Sequence, residues 1–302
     1  MRQKLPKECL IKSLDTALVL LRFLFQLYLQ KIYYKERVID MIKELPITNI
    51  TDDIYLLNEF DGTNCYLAVG TEKALLIDCG TGFCDLRGAC EKITSLPITV
   101  VATHGHVDHI GGAGQFEEIY IHRDDCKALN KMQMSMAMRK AFLSSNSGIK
   151  AYGFTAKDVT KPKYKTRLIP IDEGYKFDLG NKVITVKHTP GHSAGSIALI
   201  DERDKIVFSG DNVCDALWMQ VPGATSLEEW LPSARWLYDM SKEYRVYWGH
   251  RVPELSSEYI ATVIKWGEEI IANNKNSLLP KIKQYPDQSD GIVYKTNKIH
   301  SR

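Results

Sequence analysis

The sequence predicts an α+β protein: two β-sheets packed face to face with helices outside, a four-layer αβ/βα sandwich, preceded by a helical extension. Three observations predict it. Short apolar runs bounded by Gly, Asp or Pro alternate with helix-patterned stretches between residues 47 and 275. One plan occurs twice, in CYLAVGTEKALLIDCG (65–80) and SIALIDERDKIVFSGD (196–211): apolar strand, polar turn, apolar strand, aspartate. Finally, 302 residues at 44% hydrophobic and 25% charged are enough to bury a full core without covalent staples.

Residues 1–46 read as the helical extension, ending before Pro46. Within it ALVLLRFLFQLYL (17–29) is strongly apolar, but Arg22 and Gln26 interrupt it. It is shorter than the ~20 residues of a spanning helix. No small-residue cleavage site follows, so neither a transmembrane segment nor a signal peptide is expected. An amphipathic helix with a covered apolar face is, and a homodimer contact is the plain way to cover it.

The main domain is expected over 47–275. Strands are predicted at 54–58, 65–69, 73–78 and 98–103, with a crossover helix at 84–95. A helical insert, about 123–165, carries Met132, Met134, Met136 and Met138. Strands resume at 167–171, 175–179, 183–188, 196–200 and 205–210. Helices around 226–242 and 254–273 flank a last strand at 245–248, and residues 276–302 read as a polar tail.

Lys plus Arg number 39 and Asp plus Glu 37, a net charge of +2. That balance gives no electrostatic case for nucleic acid as a partner and leaves a small-molecule substrate. The seven cysteines form no C-x-x-C pair. This excludes a disulfide framework and a cysteine-rich zinc ribbon, and predicts reduced thiols in a cytoplasmic protein.

The chemistry-bearing motif is Thr103-His104-Gly105-His106-Val107-Asp108-His109, directly after the strand ITVVA. His104 and His106, two apart, project to the same side and can bind one ion. Asp108 and His109 lie past the bend and can reach a second. Imidazole with carboxylate suits zinc, and also iron or manganese. Three further candidates stand at strand ends: His192 in TPGH, Asp211 in SGD and His250 in GH. Five of eight histidines at strand ends beside small residues is not a core-packing distribution.

In this order, His104-x-His106-x-Asp108-His109, His192, Asp211 and His250 resemble the metallo-β-lactamase-fold hydrolase superfamily over about residues 48–275. The all-oxygen-and-nitrogen set is most similar to its glyoxalase II and lactonase-like branches. The resemblance implies that His104, His106 and His192 hold one divalent ion, that Asp108, His109 and His250 hold a second, and that Asp211 bridges them. It implies a dinuclear hydrolase, most simply with zinc, that directs a metal-activated hydroxide at a small ester, thioester, lactone or lactam. Asp108 has a second expected task, orienting the nucleophile and shuttling its proton. The alternative on the same fold is an iron-dependent oxidoreductase of the persulfide-dioxygenase kind, and behind it a phosphodiesterase or nuclease.

Asp78, in Ile77-Asp78-Cys79-Gly80, is the candidate for orienting a ligand histidine from behind. Cys214, Trp218 and Met219 follow the bridging aspartate and are candidates for the pocket, with Cys214 expected as a packed thiol. Tyr66 and Tyr175 are candidate oxyanion donors. Arg251 is the only cation adjacent to His250, so the sequence offers no basic cluster to grip the carboxylates of glutathione.

Overall fold

The computed structural model describes residues 44–59, 62–126, 137, 140, 153–155, 157–159, 161–251, 254–287 and 290–301. Residues 1–43 of the expected helical extension, and with them its proposed dimer contact, lie outside the described residues, as does most of the Met-rich insert.

Seven strands form the first sheet in chain order: β1 (Ile47–Asn49), β2 (Ile54–Asn58), β3 (Asn64–Val69), β4 (Ala74–Ile77), β5 (Ile98–Val101), β6 (Glu118–His122) and β7 (Arg167–Ile171). β1 to β4 pair antiparallel and β4 to β7 parallel. Helix α1 (Leu86–Ile93) makes the β4–β5 crossover that parallel pairing demands. It starts where Asp85 accepts the Gly88 N–H at 2.9 Å. The short α2 (Val107–Ile110) follows β5, and α3 (Arg123–Cys126) follows β6.

The chain then makes β8 (Lys176–Asp178), β9 (Val183–His188), β10 (Ile197–Asp201), β11 (Ile206–Phe208), β12 (Trp218–Met219), β13 (Arg245–Tyr247) and β14 (Glu254–Leu255). All but β12 form the second sheet, in the order β14-β13-β11-β10-β9-β8. Two long helices, α4 (Leu227–Met240) and α5 (Ser257–Asn273), match the sequence expectation closely. Ser226 and Glu229 close a reciprocal capping box on α4, and Ser256 caps α5. The repeated sequence plan is a repeated structure. β3–β4 and β10–β11 are antiparallel hairpins, and each is followed by a parallel neighbour, β5 and β13.

Strand alternation sorts the side chains into layers. Leu56, Tyr66, Leu75 and Ile77 of the first sheet meet Ile184, Val186, Leu199 and Phe208 of the second in one central core. The opposite faces are buried too. Leu57, Leu67 and Leu76 pack with Leu86 and Cys90 of α1, while Ala198, Val207 and Val246 pack with Trp230, Leu237 and Ile260 of α4 and α5. Burial on both faces explains why the strands read as continuous apolar runs. No helix among the described residues is long and apolar enough to cross a membrane.

The C-terminal segment corrects the sequence reading. Residues 276–301 are not a loose polar tail: β15 (Ile282–Tyr285) and β16 (Ile292–Lys295) join β12 in a third sheet, order β12-β16-β15. Ile292 and Ile299 are fully buried in the same core as α4 and α5.

Candidate metal centre

Every candidate ligand stands just beyond the carboxyl end of a strand: His104, His106, Asp108 and His109 after β5, His192 after β9, Asp211 after β11 and His250 after β13. These ends lie along one edge of the two packed sheets, so the loops converge. His104, His106 and His192 are buried and form one group whose ligand-type atoms lie within 4.8 Å of one another. His106 Nδ1 and His192 Nε2 are 2.7 Å apart. Asp108, His109 and His250 form a second group on the same criterion. There His250 Nε2 lies 3.3 Å from His109 Nε2 and 3.4 Å from Asp108 Oδ2. Asp211 stands between the groups, its Oδ2 at 3.1 Å from His250, 3.5 Å from His109 and 3.8 Å from His192.

Three of the imidazoles are aimed by a bond on the other side of the ring. His109 Nδ1 donates to Asp78 at 2.8 Å, His250 Nδ1 to the Gly62 carbonyl at 2.9 Å, and His106 Nε2 to the Pro222 carbonyl at 3.1 Å. That leaves His109 Nε2, His250 Nε2 and His106 Nδ1 with lone pairs toward the common centre. Close approach is possible because Gly249 precedes His250: a Cβ there would stand 2.2 Å from Asp211 Oδ1 and 2.6 Å from His109 Cε1. Asp78 itself takes a left-handed conformation, φ 61°, which non-glycine residues seldom adopt. Its carboxylate is held there by the Thr103 N–H at 2.7 Å and the Thr103 hydroxyl at 2.9 Å.

The electrostatics divide the cluster. Burial, reinforced by the neighbouring imidazoles, holds His104 well below the usual histidine range, and burial brings His192 down to about 4. Both are neutral and able to donate a lone pair near pH 7. Burial acts the same way on His109 and His250 but is outweighed by carboxylates. Asp211 and Asp78 push His109 well up, and Asp211 with Asp108 raises His250 to about 10. In turn His250 and His109 hold Asp211 well below the carboxylate range despite its burial. The carboxylate-rich half thus attracts positive charge strongly. His104 Nε2 and Asp211 Oδ1 are buried without a hydrogen-bond partner among the described residues. An orphaned polar atom of this kind costs ~1–3 kcal/mol. A nitrogen and oxygen donor set with unused inward lone pairs fits divalent cations.

A cavity of about 500 Å³ opens over the cluster. Its floor is His106, Asp108, His192, Asp211 and His250, and its walls include Val107, Ala216, Trp218, Val221 and Pro222. Of the residues singled out in the sequence, Trp218 lines this cavity, 52% exposed, and Cys214 lines it as a buried thiol that burial keeps protonated. Three others are elsewhere. Met219 points to the opposite side of β12 from Trp218 and packs, 1% exposed, in the core under α4. Tyr66 is buried, and its hydroxyl donates to the Trp248 carbonyl, bracing the strand end that carries His250. Tyr175 packs at an angle against Tyr120 and Phe177, with ring centroids at 5.7 and 4.9 Å. Neither tyrosine reaches the cavity as an oxyanion donor.

Two working residues escaped the sequence reading. The buried Asp125 accepts the Gly105 N–H at 2.7 Å, the Ser193 hydroxyl at 2.6 Å and the Gly195 N–H at 2.8 Å. It clamps the loop of His104 and His106 to the loop of His192. Glu59, also buried, accepts the Thr81 and Phe83 N–H groups at 2.6 and 3.2 Å and so shapes the turn beyond Asp78. The only local signal was an acidic pair at Asp124-Asp125, which is unremarkable by itself.

A family model for the metallo-beta-lactamase superfamily matches residues 58–250. The chain belongs to that superfamily. Within it, the chain is 33% identical over 186 residues to proteins from Bos taurus and Homo sapiens named acyl-coenzyme A thioesterase MBLAC2; the match covers 57% of this chain. The chain spans 62% of the length of those relatives. Solved superfamily structures share the fold. A metallo-beta-lactamase from Pontibacter korlensis superposes with a TM-score of 0.51 at 18% identity, covering 74% of this chain and 98% of its own. The sec-alkylsulfatase Pisa1 from Pseudomonas sp. gives 0.56 at 15% identity, covering 76% of this chain and 43% of its own. The expectation of a metallo-β-lactamase fold drawn from the sequence therefore holds.

Proposed function

We propose that the protein is a dinuclear metal-dependent hydrolase of acyl thioesters. The observation that carries this reading is the convergence of five imidazoles and two carboxylates, lone pairs inward, beneath a cavity with apolar walls. Among the ester, thioester, lactone and lactam group, the two thioesterase relatives support a thioester of the acyl-coenzyme A kind.

In this reading His104, His106 and His192 would hold one divalent ion, and Asp108, His109 and His250 the other, with Asp211 available to both; zinc suits the donors best. When bound, such a pair supplies hydroxide at neutral pH and polarises the thioester carbonyl. The chain's own groups do the rest. Trp218, Val221 and Pro222 bury the acyl chain and exclude water from it. Asp108, its side chain 36% exposed on the cavity floor, takes the proton lost by the attacking water and passes it to the departing sulfur. The carbon–oxygen bond forms, the carbon–sulfur bond breaks, and a carboxylic acid and a thiol leave. Asp78 and Asp125 keep the ligand loops in register throughout. Cys65, Cys84, Cys90 and Cys214 are buried and form no disulfide among the described residues, which supports a reducing, cytoplasmic setting.

The test is direct. Protein loaded with zinc is assayed on acyl-coenzyme A thioesters of graded chain length, with lactones, lactams and phosphodiesters in parallel, and its metals are quantified. Thioester turnover that vanishes on chelation and returns with zinc is the expected result. Iron with dioxygen consumption on a persulfide, or turnover confined to another substrate class, overturns the reading.

A further inference from the structure

We infer that the loop at 276–281 and the outer face of the third sheet form a docking surface for an anionic phospholipid membrane. Leu278 is fully exposed, Leu279 is 76% exposed, and Ile282 at the start of β15 is 64% exposed. Their loop is nonetheless tied down. The Ser277 N–H donates to the Thr296 carbonyl at 2.8 Å and the Lys281 N–H to the Thr296 hydroxyl at 3.0 Å. The Ser277 hydroxyl donates to the Leu279 carbonyl at 2.7 Å, and the Asn276 side chain to the His300 carbonyl at 2.9 Å. The backbone is thus bound to β16 and to the segment after it, while two adjacent leucines stand in water. A fixed apolar projection of this kind marks an interaction surface.

The apolar surface continues across the sheet. Register partners share a face, and alternate residues of a strand do too. Gln284 pairs with Val293 and Val293 with Trp218, and Ile282 lies two residues before Gln284. One face therefore carries Ile282, Val293 and Trp218. The other carries Met219, Tyr294 and Ile292, which are buried in the core with α4 and α5. Trp218 also lines the cavity, so the docking face reaches the cavity mouth.

Charge names the partner. Lys275, Lys281 and Lys283 are exposed around the leucines, and Lys295 pairs in register with Ile282. None of the four is ion-paired among the described residues, unlike Lys205 and Lys242, which meet Glu202 and Asp239. The acids of the hairpin, Asp287 and Asp290, lie at its far end, in the turn between β15 and β16. Leucines that enter the acyl boundary, ringed by lysines level with the phosphates, combine the two forces that hold proteins on anionic bilayers. A second copy fits less well. β15 carries Lys283 and is flanked by Pro280 and Pro286, features that keep an edge strand from pairing with another. The inference does not rest on the proposed reaction.

The experiment is flotation of the full chain with vesicles of phosphatidylcholine alone or mixed with phosphatidylserine, at low and high salt. Binding to the mixed vesicles is expected, weakened by salt and largely absent on phosphatidylcholine alone. Leu278→Ser combined with Leu279→Ser should lower the partition by about tenfold or more. Lys281→Gln combined with Lys283→Gln should do the same, since each lysine at an anionic surface contributes roughly fivefold. All four side chains are exposed, so circular dichroism and metal content should be unaltered in both variants. No binding to the mixed vesicles, or binding that both variants leave unchanged, overturns the inference. So does a dimer, detected by light scattering, that the leucine variant dissolves while vesicle binding persists.

Discussion

Asp78 Oδ2 accepts a hydrogen bond from His109 Nδ1 at 2.8 Å, with both side chains buried to within 1% of full. That bond fixes the tautomer of one imidazole whose other nitrogen faces Asp211 and His250. Asp78→Asn keeps the shape but turns one oxygen into a donor that meets either His109 or the Thr103 N–H head-on. Metal affinity should drop by about 10- to 100-fold, read by chelator competition. An unchanged affinity would mean the carboxylate is there only to cap its turn.

The ligand assignment separates by stoichiometry. His106→Ala should cost one ion and Asp211→Ala should disturb both, because Asp211 is the carboxylate, among the described residues, that meets histidines of both groups. Metal analysis after equilibrium dialysis decides it, and full occupancy in either variant refutes the arrangement. Metal-loaded wild type should also melt at a higher temperature than stripped protein, since ions that bind only the folded chain stabilise it by mass action.

Asp125→Ala removes an acceptor from the Gly105 N–H, the Ser193 hydroxyl and the Gly195 N–H at once. Charge-assisted bonds of this kind contribute ~1.5–3 kcal/mol each, non-additively. A loss of about 2–4 kcal/mol in urea unfolding is expected, together with weaker binding by His104, His106 and His192. A neutral result would show that water replaces the clamp without cost.

Acid should also attack the molecule at a buried lysine far from the cavity. Lys182, its side chain fully buried, meets Asp53 at 2.7 Å, Asp204 at 2.8 Å and Asp201 at 3.4 Å. Lys182 and Arg203 hold Asp53 and Asp204 below the carboxylate range against their partial burial. Folded values below unfolded ones mean stability that is complete above about pH 4 and lost as pH falls through the folded values. Asp201 is raised by burial and contributes in the opposite sense, favouring the fold when protonated. Lys182→Met should therefore cost about 3–5 kcal/mol at neutral pH, by stranding buried carboxylates. The deficit should shrink below pH 4 as Asp53 and Asp204 protonate. Urea midpoints between pH 3 and 7 test this, and a deficit independent of pH would contradict it.

Trp218 stands 52% exposed at the cavity mouth. Trp218→Ala should leave stability within about 0.5 kcal/mol while raising KM for long acyl chains more than for short ones. Equal effects at all chain lengths would place the acyl group elsewhere.

The seven candidate ligands were legible because each is a metal-binding type at the end of an apolar run, which is a local pattern. Helices α4 and α5 were legible for the same reason, through Ser226, Glu229 and Ser256 at their starts. What failed was non-local. Tyr66 meets Trp248 across 182 positions of sequence, and Asp125 meets Ser193 across 68. No window along the chain contains either pair. Trp218 and Met219 are adjacent and apolar, and only the pairing of β12 with β16 decides which faces the cavity. The last residues looked like a tail because Ile292, Tyr294 and Ile299 are diluted among polar neighbours, although all three are buried.

That final pairing has a practical outcome for anyone shortening the chain. Trimming at residue 275, where composition invites a cut, would take away Val293, the register partner of Trp218, and strip the covering from the buried faces of Met219 and Trp230. The candidate ligand loops would all survive such a deletion, yet Trp218 in the wall above them would lose the strand that holds it. Selectivity for the acyl group would suffer before the ability to hold ions did.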